Sequence, residues 1–363
     1  MGLLDCEMRP FEKCIKKVKY TNKIANKDFK EEGRFPIVSQ EEVFISGYWD
    51  NPADVFHVES PVVIFGDHSR HIKYVDFDFV IGADGVKILA PVEDIDAKYL
   101  YYYLRNLRIN SLGYSRHYKV LKEMSVPVTS MIEQRRIVAE LDLLSGIIEK
   151  KNAQLRTLDE LANTIFYEMF GNPVLNDKAW ASEKMKDIAP QKAYFGHIPT
   201  NNGMQWLLNL DMVESQTGKI IEKVLFSSAD IGNSTTTFNE DNILYSKLRP
   251  YLNKVVIPDE PGYCTSELVP LLPKKGVINR IFLAYLLRSK FFVDYINTRV
   301  AGAKMPRVTM SDFWGFDIII PPLKLQESFA EKISAIEKQK SLIRTSLSPA
   351  ENLLAARMDK YFC

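Results

Sequence analysis

The chain is short of the residues that most protein chemistry uses. Its 363 residues include four cysteines and five histidines. Cys6, Cys14, Cys264 and Cys363 are scattered with no C-x-x-C pair, which argues against a disulfide framework and a structural zinc site and fits a reducing cytoplasm. His57, His68, His71, His117 and His197 lack zincin spacing, and His68 and His71 beside Asp67 read better as an ordinary loop or as DNA-facing residues than as ligands. No apolar run approaches the roughly 18 residues of a membrane span, and the N-terminus lacks a signal-peptide core. No G-x-x-x-x-G-K-[ST] phosphate loop is present. An amine methyltransferase is expected to carry Asp/Asn-Pro-Pro-aromatic, but Asn51-Pro52 and Asn172-Pro173 are each followed by the wrong residue. Clustered metal-binding carboxylates, which a nuclease would need, are missing too. Net charge is only +1. Split at Asn172, the first part carries 23 basic and 26 acidic residues, the second 24 and 20, a difference too small to name a partner.

What is present is a long periodic helix. Over residues 130–170, apolar positions fall at Ile137, Leu141, Leu144, Ile148, Leu155, Leu158, Ala162, Ile165 and Met169. With Lys151 counted, the steps alternate four and three, the seam of a coiled coil. Ser130 and Glu133 have capping-box spacing, and Gly171 and Pro173 are stop signals. Adding 192 carries Gln134 to Gln326, Ile137 to Phe329, Leu141 to Ile333, Leu144 to Ile336 and Phe170 to Phe362. The period is too long for a solenoid, so it reads as duplication of a domain plus its helix.

In chain order, residues 55–65 and 77–90 read as strands between glycine turns. Asp96 can cap a helix with Leu100, Leu104 and Leu107 on one face, where Tyr99, Tyr102 and Tyr103 read as packing residues. A basic loop follows, residues 113–124. In the second half, residues 243–245 and 254–257 read as strands, residues 279–297 as one helix with Leu283, Leu287 and Arg288 matching Leu100, Leu104 and Arg105, and residues 301–307 as another glycine and basic loop. Lys13, Lys16, Lys17, Lys19, Lys23, Lys27 and Lys30 crowd one stretch near Tyr20 and Phe29, either as solvated surface or in contact with phosphate. Two irregularities are expected. Pro127 to Gln134 holds more residues than Pro322 to Gln326, and Ser348, Pro349 and Glu351 should kink or restart the last helix.

Four segments carry a family resemblance across essentially the whole chain: I-F-G-D-H-S-R (64–70), E-Q-R-R-I-V-A-E-L-D (133–142), I-L-Y-S-K-L-R-P-Y-L-N-K-V (243–255) and P-P-L-K-L-Q-E-S-F-A (321–330). In this order the chain resembles the specificity subunit of type I restriction–modification systems. The resemblance implies an α+β fold: two target-recognition domains (1–127 and 173–322) of mixed short strands and helices, separated by two long antiparallel coiled-coil helices (128–172 and 323–363), with internal pseudo-two-fold duplication. It implies a non-catalytic subunit in which each domain reads one half of a bipartite duplex DNA target. The paired helices then set the spacing and dock two methyltransferase subunits, with restriction (nuclease/translocase) subunits as further partners. No cofactor is expected on this chain, and S-adenosylmethionine is expected on the methyltransferase. No membrane is expected, and the location is cytoplasmic.

Candidate DNA-binding residues pair a cation with a glycine or polar neighbour: Arg70, Lys73, Arg116 and Lys119, then Lys247, Arg249, Lys304 and Arg307. Arginine can pair with guanine and lysine with phosphate. Arg249, before Pro250, has an equally good structural reading. Candidate docking positions on the helices are Gln134, Ile137, Leu141, Leu144, Gln326, Phe329, Ile333 and Ile336. The reading from a different class is a coiled-coil scaffold whose globular domains bind protein.

Overall fold

The computed structural model describes residues 6–107, 109, 116–227, 230–232, 234–302 and 304–362. It divides into two compact units, residues 1–152 with 344–363, and residues 153–343. The chain passes between them inside two 40-residue helices, Met131–Phe170 and Leu323–Phe362. Each helix is about 60 Å long at 1.5 Å per residue.

In the first unit the buried strand Val62–Gly66 lies between Val86–Pro91 and Ile72–Val75, both antiparallel to it. Such strands lack polar alternation because both faces are covered. The helix Ala97–Asn106 follows, and the Asp96 carboxylate accepts from the N–H groups of Lys98 and Tyr99. Leu100 and Leu104 are fully buried with Val63 and Phe65, each worth about 1.5–3 kcal/mol. The Tyr99 and Tyr103 hydroxyls donate to the carbonyls of Pro127 (2.8 Å) and Ser125 (2.7 Å), so these rings pack and cap. Glu7–Pro10 pairs with Ser125–Val128 and brings the ends of the domain together.

The same order of pairings recurs in the second unit. Ile243–Ser246 lies between Leu268–Leu271 and Val255–Val256, a capped helix Arg280–Arg288 follows, and Ala181–Lys184 pairs with Asp317–Ile320. Parallel pairs match as well, Phe35–Val38 with Phe79–Gly82 and Met204–Leu208 with Gly262–Thr265. The core is aromatic, with Phe170 and Phe282 rings 4.6 Å apart and Phe166 and Phe329 5.6 Å apart.

Within the first unit the two long helices run side by side in opposite directions. Tyr361 donates to Glu140 (2.5 Å), Arg357 pairs with Glu140 (3.0 Å) and Lys151 donates to Ser346 (2.7 Å), so partner numbers fall as residue numbers rise. Within the second unit Lys340 bonds Asp159 at 2.6 Å.

Three expectations are corrected. The helix Leu323–Phe362 does not restart at Pro349 but runs through it, with buried Met358 and Tyr361 anchoring the turns beyond the one main-chain donor that the proline removes. The segment 279–297 is two helices, since Ser289 leaves the helical conformation and its hydroxyl accepts from the Phe292 N–H. The uneven proline spacing is not an insertion. Val128 and Ile320 end equivalent strands and Met131 and Leu323 start equivalent helices, each pair 192 apart, so Pro127 and Pro322 are not counterparts.

Candidate nucleic-acid interface

The basic loops gather at one end of the hairpin in each unit. In the first, Gly66 N–H donates to His71 O (2.9 Å), closing the turn that carries Arg70. Asp67 N–H donates to Gly85 O (2.8 Å), and Asp67 O accepts from His117 N–H (2.8 Å). The buried Asp67 carboxylate also accepts from Tyr118 N–H (2.8 Å), fixing the start of the short helix Tyr118–Lys122. Arg116 and Lys119 are exposed on either side of that anchor, and the Gly113 end of their loop lies outside the described residues.

The second unit repeats these bonds. Ser246 N–H donates to Lys254 O (3.0 Å), Lys247 N–H to Glu267 O (3.0 Å), and Lys247 O accepts from Val308 N–H (2.8 Å). Asp67 therefore answers to Lys247, Gly85 to Glu267, and His117 to Val308. Arg116 and Arg307, each one residue earlier, are counterparts. Arg249 sits in the turn as Arg70 does, and its N–H donates to Pro306 O (2.7 Å). Lys304 is exposed on the same loop as Arg307, and Lys247 is half-buried.

Lys73 does not belong to this surface. It is 5% exposed, and its ammonium donates to the carbonyls of Ser39 (3.0 Å), Val43 (2.5 Å) and, more weakly, Phe44 (3.5 Å). Burial pushes its pKa down to about 8. It is a positioning residue for the loop 39–44, which clasps the Arg70 turn. The Gln40 side chain accepts from His68 N–H (3.2 Å), and its carbonyl accepts from the Ser69 hydroxyl. Gly85, at φ +102, leaves room for that amide, which a Cβ would strike. Arg307 is spoken for as well, since Glu267 pairs with it at 3.0 Å. Of the lysine-rich stretch, Lys30 pairs with Asp50 at 2.7 Å.

The helix positions Gln134, Ile137, Leu141, Gln326, Phe329, Ile333 and Ile336 are buried inside their own units and Leu144 is half-buried, so a docking subunit does not meet the seven buried side chains. The heptad seam marks the inward face. The outward apolar residues are Ile132, Leu143, Ile147 and Leu353 in the first unit, and Leu161 and Leu342 in the second. Among the described residues no cluster of three or more His, Cys, Asp or Glu could hold a metal, and no helix is long and apolar enough to cross a membrane.

Residues 211–351 match the family model described as type I restriction modification DNA specificity domain. The specificity subunit of the Escherichia coli type I restriction enzyme EcoR124I/EcoR124II is 22% identical over 93% of this chain and 87% of its own length. That of the Escherichia coli enzyme EcoDI is 23% identical over 84% and 77%. The chain is similar to the type I specificity subunits. The fold agrees, because the crystal structure of the type I S subunit from M. genitalium overlays with a TM-score of 0.62 at 15% identity, over 99% of this chain and 96% of that one.

Main-chain contacts with no sequence pattern made the interface hard to read. The basic loops themselves were legible, but their convergence through Asp67 and Lys247 was not. The left-handed backbone at Arg70 and Arg249 was equally hidden, since nothing in the residue type announces it.

Proposed function

We propose that this chain is the non-catalytic DNA-recognition subunit of a type I restriction–modification complex in the cytoplasm. Each unit reads one half of a bipartite duplex target with its hairpin turn and the loop bonded to it. The long helices set the distance between the half-sites, and their outward apolar residues dock methyltransferase subunits, which carry S-adenosylmethionine. A restriction subunit, where one accompanies the complex, does the cutting. The observation that carries this reading is the repeated bond set at Asp67 and Lys247, which joins an arginine-bearing turn to an arginine-bearing loop within each unit. Near-neutral net charge suits a subunit whose partners supply part of the phosphate affinity.

The test is to express the chain with a cognate methyltransferase and map methylated positions in the host genome. A two-part motif with a fixed spacer is expected, and the purified chain alone should incorporate no methyl groups into DNA. A protein-binding scaffold would leave the methylation pattern unchanged and show no salt-sensitive duplex binding.

A further inference from the structure

Two arginines hold a backbone conformation that arginine avoids. Arg70 has φ +65 and Arg249 has φ +49, in the region where a Cβ crowds the carbonyl. Seven described non-glycine residues have positive φ, and three of them are asparagines, the type that tolerates it best. Both arginines fall in the same turn of the two units. Arg249 is further disfavoured because it precedes Pro250.

Internal contacts do not repay this strain. The described hydrogen bond of the Arg70 guanidinium is a surface one to Ile109 O (2.9 Å). The Arg249 Nε is buried and makes no hydrogen bond to the described protein. The turns themselves are closed by main-chain bonds that any residue could make, Arg70 N–H to Gly66 O (2.8 Å) and Leu252 N–H to Arg249 O (2.9 Å). Glycine would serve the backbone better at both positions, so what each site keeps is the side chain. Backbone strain retained in this way gathers at functional sites. The loop bonded to each turn carries a second arginine, Arg116 next to His117, which bonds Asp67, and Arg307 between Pro306 and Val308, which bond Arg249 and Lys247.

We infer that Arg70 with Arg116, and Arg249 with Arg307, form one acceptor-binding pair repeated in each unit, its left-handed turn arginine aimed at two adjacent acceptor atoms of duplex DNA. Those atoms are the oxygens of a phosphate or O6 and N7 of a guanine, both of which match the guanidinium fork. The inference rests on the proposed DNA-recognition function and deepens it. The pairs differ in one respect. Arg307 must exchange Glu267 for DNA, whereas Gly85 holds the equivalent place beside Arg116.

The test compares Arg70→Gly and Arg249→Gly with the wild-type chain, each in complex with its methyltransferase, by thermal unfolding and by duplex binding across salt concentrations. Glycine relieves the strain, so Tm should hold or rise by up to about 4 °C. Affinity should nevertheless fall roughly tenfold or more. A phosphate contact would weaken all sequences alike and flatten the salt slope by about one unit. A guanine contact would relax one position of one half-site, the first for Arg70 and the second for Arg249. Undiminished affinity, or a marked drop in Tm, would overturn the inference, the latter by making the arginine structural. A wild-type complex that failed to bind duplex DNA would instead refute the functional reading beneath it.

Discussion

Lys73 illustrates what a sequence says about a cation and what it withholds. A lysine two residues from a glycine-punctuated arginine turn reads as a phosphate contact, yet strand alternation turns this one inward, onto three carbonyls of loop 39–44. Removing the ammonium strands those carbonyls, and Lys73→Met should loosen the loop at neutral pH. The pH dependence has a definite sign. A lysine whose folded pKa is lowered from 10.5 to about 8 carries its burial cost in full below pH 8 and sheds it as pH rises towards 10.5. Urea unfolding of wild-type and Lys73→Met at pH 7.5 and 9.5 should therefore show the wild-type gaining relative stability at the higher pH. A constant difference would mean that Lys73 titrates normally. Arg116 and Lys304 are exposed, because short basic loops have no strand period to bury them.

At the scale of elements, buried glutamines tie each capped helix to a long one. The Gln134 amide accepts from Asp96 N–H (2.9 Å) and donates to the carbonyls of Asp94 (2.9 Å) and Thr129 (2.8 Å). Gln326 accepts from Asn279 N–H (2.8 Å) and donates to Val277 O (3.1 Å) and Pro321 O (2.7 Å). The third partner lies five residues earlier in both cases. A glutamine at 0% exposure with three hydrogen bonds is structural, so its recurrence at a spacing of 192 reports a repeated packing contact, and its side chain offers no surface for docking. Gln134→Ala and Gln326→Ala should each cost about 2–4 kcal/mol by leaving three main-chain groups without a partner. Calorimetry of the full chain reads this, and a loss under 1 kcal/mol would mean that the groups find other partners. Helix ends were legible where side chains set them, as at Asp96 and Ser130. Ser289 was missed because its neighbours keep the helical apolar period across the break.

For the whole molecule the decisive fact is where the chain crosses between units. It does so at residues 152–153 and 343–344, both inside long helices, so the covalent links between the units are helical. Lys151 bonds Ser346 within the first unit and Asp159 bonds Lys340 within the second, so each crossing lies a few residues from a helix-to-helix bond. One heptad inserted after Ala153 and another after Thr345 lengthens both helices near the crossings and preserves the apolar seam. Seven residues add roughly 10 Å of helix. That is close to three base pairs at about 3.4 Å each. If the helices are the ruler of the proposed bipartite reading, methylated-site sequencing with the lengthened subunit and its partners should return the same half-sites. The spacer should widen by up to about three base pairs, less if the units lie oblique to the duplex. Duplex twist makes some spacers unusable, because a recognition loop displaced around the helix meets the wrong face of the groove. An active complex that kept the original spacing would show that the separation is set elsewhere, by the methyltransferase subunits or the DNA, and the helices would be left with a docking role alone.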